Sequence, residues 1–283
     1  MDIQWFPGHM TKALRMMENE LKVIDAAVYV LDSRAPMSCI NPEFAKLIKN
    51  KPIIYALNKA DLVETTEVKA WAKHFTTSNS SAVIINSTMT NSSAEIIKAT
   101  KLLLKEKIER YARKNIAMPI RLMIIGVPNS GKSTLINNLC GKYKAITGNR
   151  PGVTKGKQWI TLPSGIEVLD TPGTLWPSFE NKNVAKNLAY IGSIKDEVLD
   201  IYELALTFIE DFKSKNVFQN RYGVKELLEK TPLEILCEIC FARGFILKGN
   251  EPDFVRGSNA IIDDFRKGRM GKIMLEKFSD FNF

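Results

Sequence analysis

The chain has 283 residues, 45% of them apolar and 25% charged, the balance of a soluble globular protein with room for about two domains. That composition excludes a disulfide-stapled miniature scaffold and an intrinsically disordered chain. Forty Lys and Arg against 31 Asp and Glu leave a formal charge of +9, which points to a polyanionic partner such as a nucleic acid. No apolar run approaches the roughly 20 residues that span a bilayer, and the first ten residues lack the pattern of a secretory or organelle leader. A cytoplasmic protein with no membrane partner is the expectation.

From Ala26 to Asn86 short apolar runs alternate with amphipathic stretches, the pattern of a mostly parallel sheet with crossover helices. Strands are expected at Ala26–Leu31, Ile53–Leu57 and Ala82–Ile85, with helices around Pro42–Lys49 and Glu67–Phe75. One long helix is expected over Asn91–Lys114, and Pro119 marks the break before a fourth strand at Arg121–Ile125. A helix follows at Thr134–Leu139. Gln158–Leu162 and Ile166–Leu169, joined by Pro163-Ser164-Gly165, read as a hairpin. Beyond Trp176-Pro177 the periodicity is helical, as in Val198–Phe212 and Leu233–Phe245, which places a domain boundary there. Cys237 and Cys240 form a CxxC, but they recur at helical spacing with Leu233, Leu236 and Phe241, so both thiols are expected in a core.

Gly126-Val127-Pro128-Asn129-Ser130-Gly131-Lys132-Ser133 matches GxxxxGK[ST] between an expected strand and an expected helix, the context that its mechanism requires. Backbone N–H groups of such a loop wrap phosphates, Lys132 offsets their charge, Ser133 is a ligand for Mg²⁺, and the helix N-terminus carrying Thr134 adds its positive end. Asp170-Thr171-Pro172-Gly173 ends the hairpin; there Asp170 can hold the Mg²⁺ shell and the Gly173 N–H can meet a γ-phosphate. Thr154 lies between the two motifs and is the candidate hydroxyl for Mg²⁺ and the γ-phosphate.

Asn58-Lys59-Ala60-Asp61 directly follows a strand and matches the guanine-reading NKxD. Asp61 can accept from guanine N1–H and its exocyclic amine, Asn58 can meet the O6/N7 edge, and the Lys59 stem can pack on the ring. Ser87 after the next strand is a fourth, weaker candidate for contact with the base, because Thr88 stands where an alanine is usual. GTP and GDP are therefore the expected nucleotides, and a small-molecule kinase using ATP is disfavoured.

In an ordinary GTPase the base-reading motif follows the phosphate loop, whereas here Asn58–Asp61 precedes Gly126–Ser133. The order is that of a circular permutation, which domains with neighbouring termini tolerate. Its consequence is that the chain passes from Asp170–Gly173 directly into the C-terminal domain. The expected architecture is an α/β, circularly permuted P-loop GTPase domain over residues 1–176, its mostly parallel sheet flanked by helices on both faces, and a smaller all-helical domain over residues 177–283. Because every nucleotide motif lies in the first of these, residues 1–176 are expected to bind GTP alone.

This order, together with Trp5-Phe6-Pro7-Gly8-His9-Met10, Lys12-Ala13, Asp32-Ser33-Arg34-Ala35-Pro36 and Pro151-Gly152-Val153-Thr154, resembles the bacterial ribosome biogenesis GTPase A (YlqF/RbgA) family. The specific motifs cover the chain through Pro177. The resemblance implies GTP-dependent late assembly of the large ribosomal subunit, with rRNA and ribosomal proteins as partners and hydrolysis stimulated by the particle. It also implies His9 as a candidate for orienting the attacking water, the alternative being that His9 fastens the N-terminal arm. Asn129 resembles the phosphate-loop position of K⁺-dependent GTPases, making K⁺ a candidate cofactor beside Mg²⁺. Lys132 and Thr154 join His9 as candidate catalytic residues, and a monomer is expected.

Two segments fit an RNA partner. Lys142–Trp159 holds five basic and no acidic residues, and Lys98–Lys114 holds seven basic and two acidic, so each carries +5. A Ras-type enzyme carries a water-positioning Gln just after DxxG; this chain has Thr174, which also departs from the hydrophobic residue usual in the family. That departure keeps open an alternative, a nucleotide-regulated RNA-binding scaffold with little intrinsic catalysis.

Overall fold

The computed structural model describes residues 10–115, 118–141, 158–176 and 181–283. Contacts divide them into two compact units, each described here by itself: a sheet unit of the described residues through Trp176 together with Met274–Phe283, and a helical unit of residues 181–273. Among the described residues no helix is long and apolar enough to cross a membrane.

The sheet unit begins with α1 (Met10–Leu21) and β1 (Ala26–Asp32). Every residue of β1 is buried, and its near-continuous apolar run is what a central strand covered on both faces requires. Next come α2 (Pro42–Ile48), β2 (Ile53–Asn58), α3 (Thr65–Phe75), β3 (Ser80–Ile84), α4 (Asn91–Leu103), α5 (Lys105–Arg113), β4 (Arg121–Ile125) and α6 (Lys132–Cys140). The hairpin β5 (Gln158–Thr161) and β6 (Glu167–Asp170) completes a six-stranded sheet in the order β3-β2-β1-β4-β6-β5. All neighbours are parallel except β5 and β6.

The expected single helix over Asn91–Lys114 is two. α4 buries Ile96, Ala99 and Thr100, whereas α5 buries none of its residues. The chain turns at Leu104, whose side chain joins the core cluster with Ile96, Ile136 and Leu139. Burying Leu104 lets the polar α5 leave the apolar stripe that α4 follows.

Register places the site. β1 pairs β2 with Asp32 opposite Asn58, and β4 pairs β6 with Ile124 opposite Asp170. The carboxyl ends of β1, β2, β4 and β6 therefore open at one edge of the sheet. β1 and β4, distant in sequence, are neighbours there, and loops that diverge from such a switch point leave a crevice for ligands.

The helical unit contains α7 (Lys182–Tyr190), α8 (Ile201–Phe212), α9 (Val217–Tyr222), α10 (Pro232–Ala242) and α11 (Phe254–Arg266). Asp200 caps α8 through Glu203 N–H, and Thr231 and Glu234 form a capping box on α10, each satisfying N–H groups that the helix leaves unpaired. Phe208 is fully buried, its ring 4.7 Å from Phe212, 4.9 Å from Phe265 and 5.1 Å from Tyr190. The CxxC is split: Cys240 is buried, but Cys237 is half-exposed. The inward stripe of α10 runs through Leu236, Ile239 and Cys240, leaving Cys237 at its rim. The division at the C-terminus also differs from a helical domain running to Phe283, since Met274–Phe283 packs with the sheet unit. Phe208→Ala should destabilise the helical unit by about 3–5 kcal/mol, the usual cost of deleting a buried aromatic ring, read as a lower midpoint in urea unfolding followed by circular dichroism.

Candidate nucleotide site

β2 ends in Asn58, and the following Lys59 takes a left-handed conformation (φ +57°) that turns Ala60–Leu62 into a short 3-10 turn. Asn58 is 1% exposed. Its Nδ2 donates to Ser130 O at 2.7 Å, and its Oδ1 accepts from Ser87 N–H at 2.8 Å. The amide expected on the guanine O6/N7 edge thus also braces the phosphate loop and the loop after β3. Asp61 is exposed, which leaves its carboxylate accessible to a base. Ser87, the weaker sequence candidate, is buried beside Asn58, and its carbonyl accepts from Asn138 of α6 at 3.3 Å.

The phosphate loop runs from β4 into α6. Gly131 has φ +100°, and a Cβ there would lie 2.1 Å from Asn58 Nδ2; only glycine permits both the left-handed backbone and the close brace. Lys132 opens α6, is buried, and donates from Nζ to Val127 O at 2.7 Å. Burial pushes its pKa down to about 8, against the pull of the Asp170 carboxylate. Ser133 and Thr134, both half-buried, occupy the same first turn, where helical N–H groups and the dipole favour an anion. Ser130 Oγ is buried, with no hydrogen-bond partner among the described residues.

Asp170 ends β6 and is buried. Gly173 lies against the phosphate loop: a Cβ there would meet Lys132 Nζ at 2.6 Å and Pro128 Cα at 3.0 Å. The structure therefore brings Asn129, Ser130, Gly131, Lys132, Asp170 and Gly173 to one edge of the sheet with Asn58, Lys59 and Ser87. Thr174 is buried, its Oγ1 with no hydrogen-bond partner among the described residues. His9 and Thr154 lie outside the described residues.

One element of the site has no chemistry legible in the motifs. Asp32, fully buried at the end of β1, accepts from Arg34 Nε at 2.9 Å and from a terminal nitrogen of Arg34 at 2.7 Å, and pairs with Lys59 Nζ at 2.8 Å. Lys59 Nζ also donates to Asn129 O at 2.9 Å. Burial alone would raise the Asp32 carboxyl, but Arg34 and then Lys59 outweigh it and hold it well below the usual carboxylate range. A fixed carboxylate thus aims Lys59 across the gap from the guanine motif to the phosphate loop. The nearest sequence signal was a run of Asp32, Arg34 and Pro36 after a strand, which gives neither partner nor depth.

The donor set fits Mg²⁺. No three His, Cys, Asp or Glu gather into a cage among the described residues, and Mg²⁺ needs none, since one or two carboxylates, a hydroxyl and substrate phosphates suffice. Ser133 and Asp170 supply such oxygens.

Comparison with known proteins agrees with this geometry. Residues 121–238 match the family model described as 50S ribosome-binding GTPase. Ribosome biogenesis GTPase A of Bacillus licheniformis is 40% identical over 99% of this chain and 100% of its own length; the Thermotoga maritima protein of the same name is 31% identical over 98% and 95%. A crystal structure of GNP-bound YlqF from T. maritima superposes with a TM-score of 0.63 at 26% identity, covering 94% of this chain and 98% of that one.

The depressed pKa of Lys132 gives a test. Above about pH 8 the unliganded amine is increasingly neutral, and nucleotide phosphates restore its charge, so the bound state holds more protons. GTP binding at about pH 9 should take up a proton, seen by calorimetry in two buffers of different ionisation enthalpy, and affinity should fall as pH rises through this range.

Proposed function

The chain belongs to the ribosome biogenesis GTPase A family and hydrolyses GTP, and on that premise we propose that it acts on the large ribosomal subunit late in assembly, binding its rRNA most tightly in the GTP state. The observation that carries the reading is the basic surface of α5. None of the residues of this helix is buried, and Lys107, Arg110, Arg113 and Lys114 line one cleft beside a single acidic residue, Glu106. Lys107 pairs with Asp25, but Arg110, Arg113 and Lys114 are exposed and suit phosphates. The +5 segment Lys142–Trp159 adds charge between the phosphate loop and Asp170 in sequence.

In this reading Asp61 reads the guanine edge, Lys59 packs on the ring, and the Gly126–Ser133 loop with Lys132 and Thr134 holds the phosphates. Mg²⁺, held by Ser133 and Asp170 with Thr154, would neutralise phosphate charge. K⁺ beside Asn129 and a water oriented by His9 rest on the family resemblance. The Gly173 N–H senses the γ-phosphate, and the covalent path from Gly173 into the helical unit lets nucleotide state bias that unit. One observation favours the scaffold reading: the position after DxxG holds a buried threonine, which supplies no Gln-like amide to a water.

Sedimentation with large subunits in GDP, GTP and a non-hydrolysable analogue tests the proposal. Association should be strongest with the analogue. Replacing Arg110, Arg113 and Lys114 with Gln should weaken it and lower the salt slope by up to roughly one unit per lost phosphate contact; association indifferent to nucleotide would reject the reading.

Single-turnover hydrolysis with and without subunits separates enzyme from scaffold. The particle-stimulated rate should be higher in K⁺ than in Na⁺ at equal ionic strength. His9→Ala should slow it on the order of a hundredfold while leaving GTP affinity unchanged, as removal of a water-orienting group does. A rate that stays low with particles present would favour the scaffold.

A further inference from the structure

Met274–Phe283 follows the helical unit in sequence but packs on the sheet unit. Leu275 N–H donates to Arg34 O at 2.9 Å, and Glu276 N–H reaches the same oxygen at 3.3 Å. The Glu276 side chain is buried. Its carboxylate accepts from Met37 N–H at 2.7 Å, from Ser38 N–H at 3.0 Å, and from the Ser38 hydroxyl. Trp71 Nε1 of α3 donates to Glu276 O at 3.2 Å, and Phe278 N–H donates to Glu67 at 2.9 Å. Phe278, Phe281 and Phe283 pack edge-on against the Trp71 ring at 5.1–5.8 Å.

The contacts of Leu275 and Glu276 with Arg34, Met37 and Ser38 close on one turn, Ser33–Ile40, which links β1 to the N-cap of α2. A turn of this kind leaves N–H groups that no strand satisfies, and a buried carboxylate is tolerated only where several donors meet it. Each supplies what the other lacks. The turn carries Arg34 and follows directly from Asp32, so the chain of contacts runs from Glu276 through the Arg34 backbone and side chain to Asp32, then to Lys59, and ends at Asn129 O in the phosphate loop.

We propose that Glu276 is a positioning residue for guanine-nucleotide binding: it fixes the Ser33–Ile40 turn and, through Arg34 and Asp32, sets Lys59 of the guanine-reading loop. This rests on the assignment of Asn58–Asp61 as that loop. It also revises the expectation that residues 1–176 bind GTP alone, because that segment lacks the tail that braces its own base-reading loop.

The test uses the full chain with Glu276→Gln, which puts an NH₂ group among three donors. Affinities for GTP and ATP are measured by competition with a fluorescent GDP analogue. GTP affinity should fall about tenfold, the order of one lost charge-assisted hydrogen bond, while ATP, held through the phosphate loop, changes by less than about twofold. Lys59→Ala should lower the GTP-to-ATP ratio by itself, and adding Glu276→Gln to it should lower the ratio by less than about twofold further, as coupled sites require. Equal losses for both nucleotides, no loss, or full additivity with Lys59→Ala would overturn the proposal. An effect of Lys59→Ala with none from Glu276→Gln overturns it alone; no effect of Lys59→Ala on the ratio overturns the guanine-loop assignment and the proposal with it. Should Glu276→Gln not fold, Ser38→Ala, which keeps both backbone N–H donors, decides: a GTP-selective loss of about threefold supports the proposal, and an unchanged ratio overturns it.

Discussion

Asp32 carries a full negative charge at a point that water does not reach, and the nucleotide site is organised by the need to compensate it. Two cations answer, Arg34 through a two-pronged contact and Lys59 through a single one. The geometries matter because a guanidinium fork fixes a plane whereas an ammonium is a point charge on a flexible stem. Arg34 therefore locks the carboxylate, and the locked carboxylate aims Lys59. Removing either side would leave an uncompensated buried charge, which is why such a pair constrains conformation more surely than it adds net stability.

The same economy recurs around it. Asn58 spends one end of its amide on Ser130 O and the other on Ser87 N–H, so three loops from three strands share one side chain. Gly131 makes room for it, and Gly173 makes room for Lys132. Burial pushes Lys132 down to about 8, and phosphates beside it would favour its charged form.

Circular permutation changes what the chain ends and joins can do. In this order Asp170–Gly173 precedes the helical unit in sequence, and the segment after that unit packs on the turn beside Asp32. In sequence, both links of the helical unit lead to the sheet unit, one after Gly173 and one before Met274.

The sequence by itself determined the catalytic class and the frame. GxxxxGK[ST], NKxD and DxxG are local patterns whose residues sit on single loops, and the alternation of apolar runs with amphipathic stretches read correctly as a mostly parallel sheet, since burial on both faces leaves a continuous apolar signature. Periodicity alone missed the turn at Leu104, because a helix break that seats one leucine in a core has no local marker. Asp32, Arg34 and Glu276 were beyond it for a deeper reason. Their roles consist of partners: a carboxylate means nothing until the fold decides whether water, a guanidinium or a backbone turn satisfies it. Glu276 lies 238 positions from Ser38, and only the tertiary structure, by burying both, obliged the one to complete the hydrogen bonding of the other.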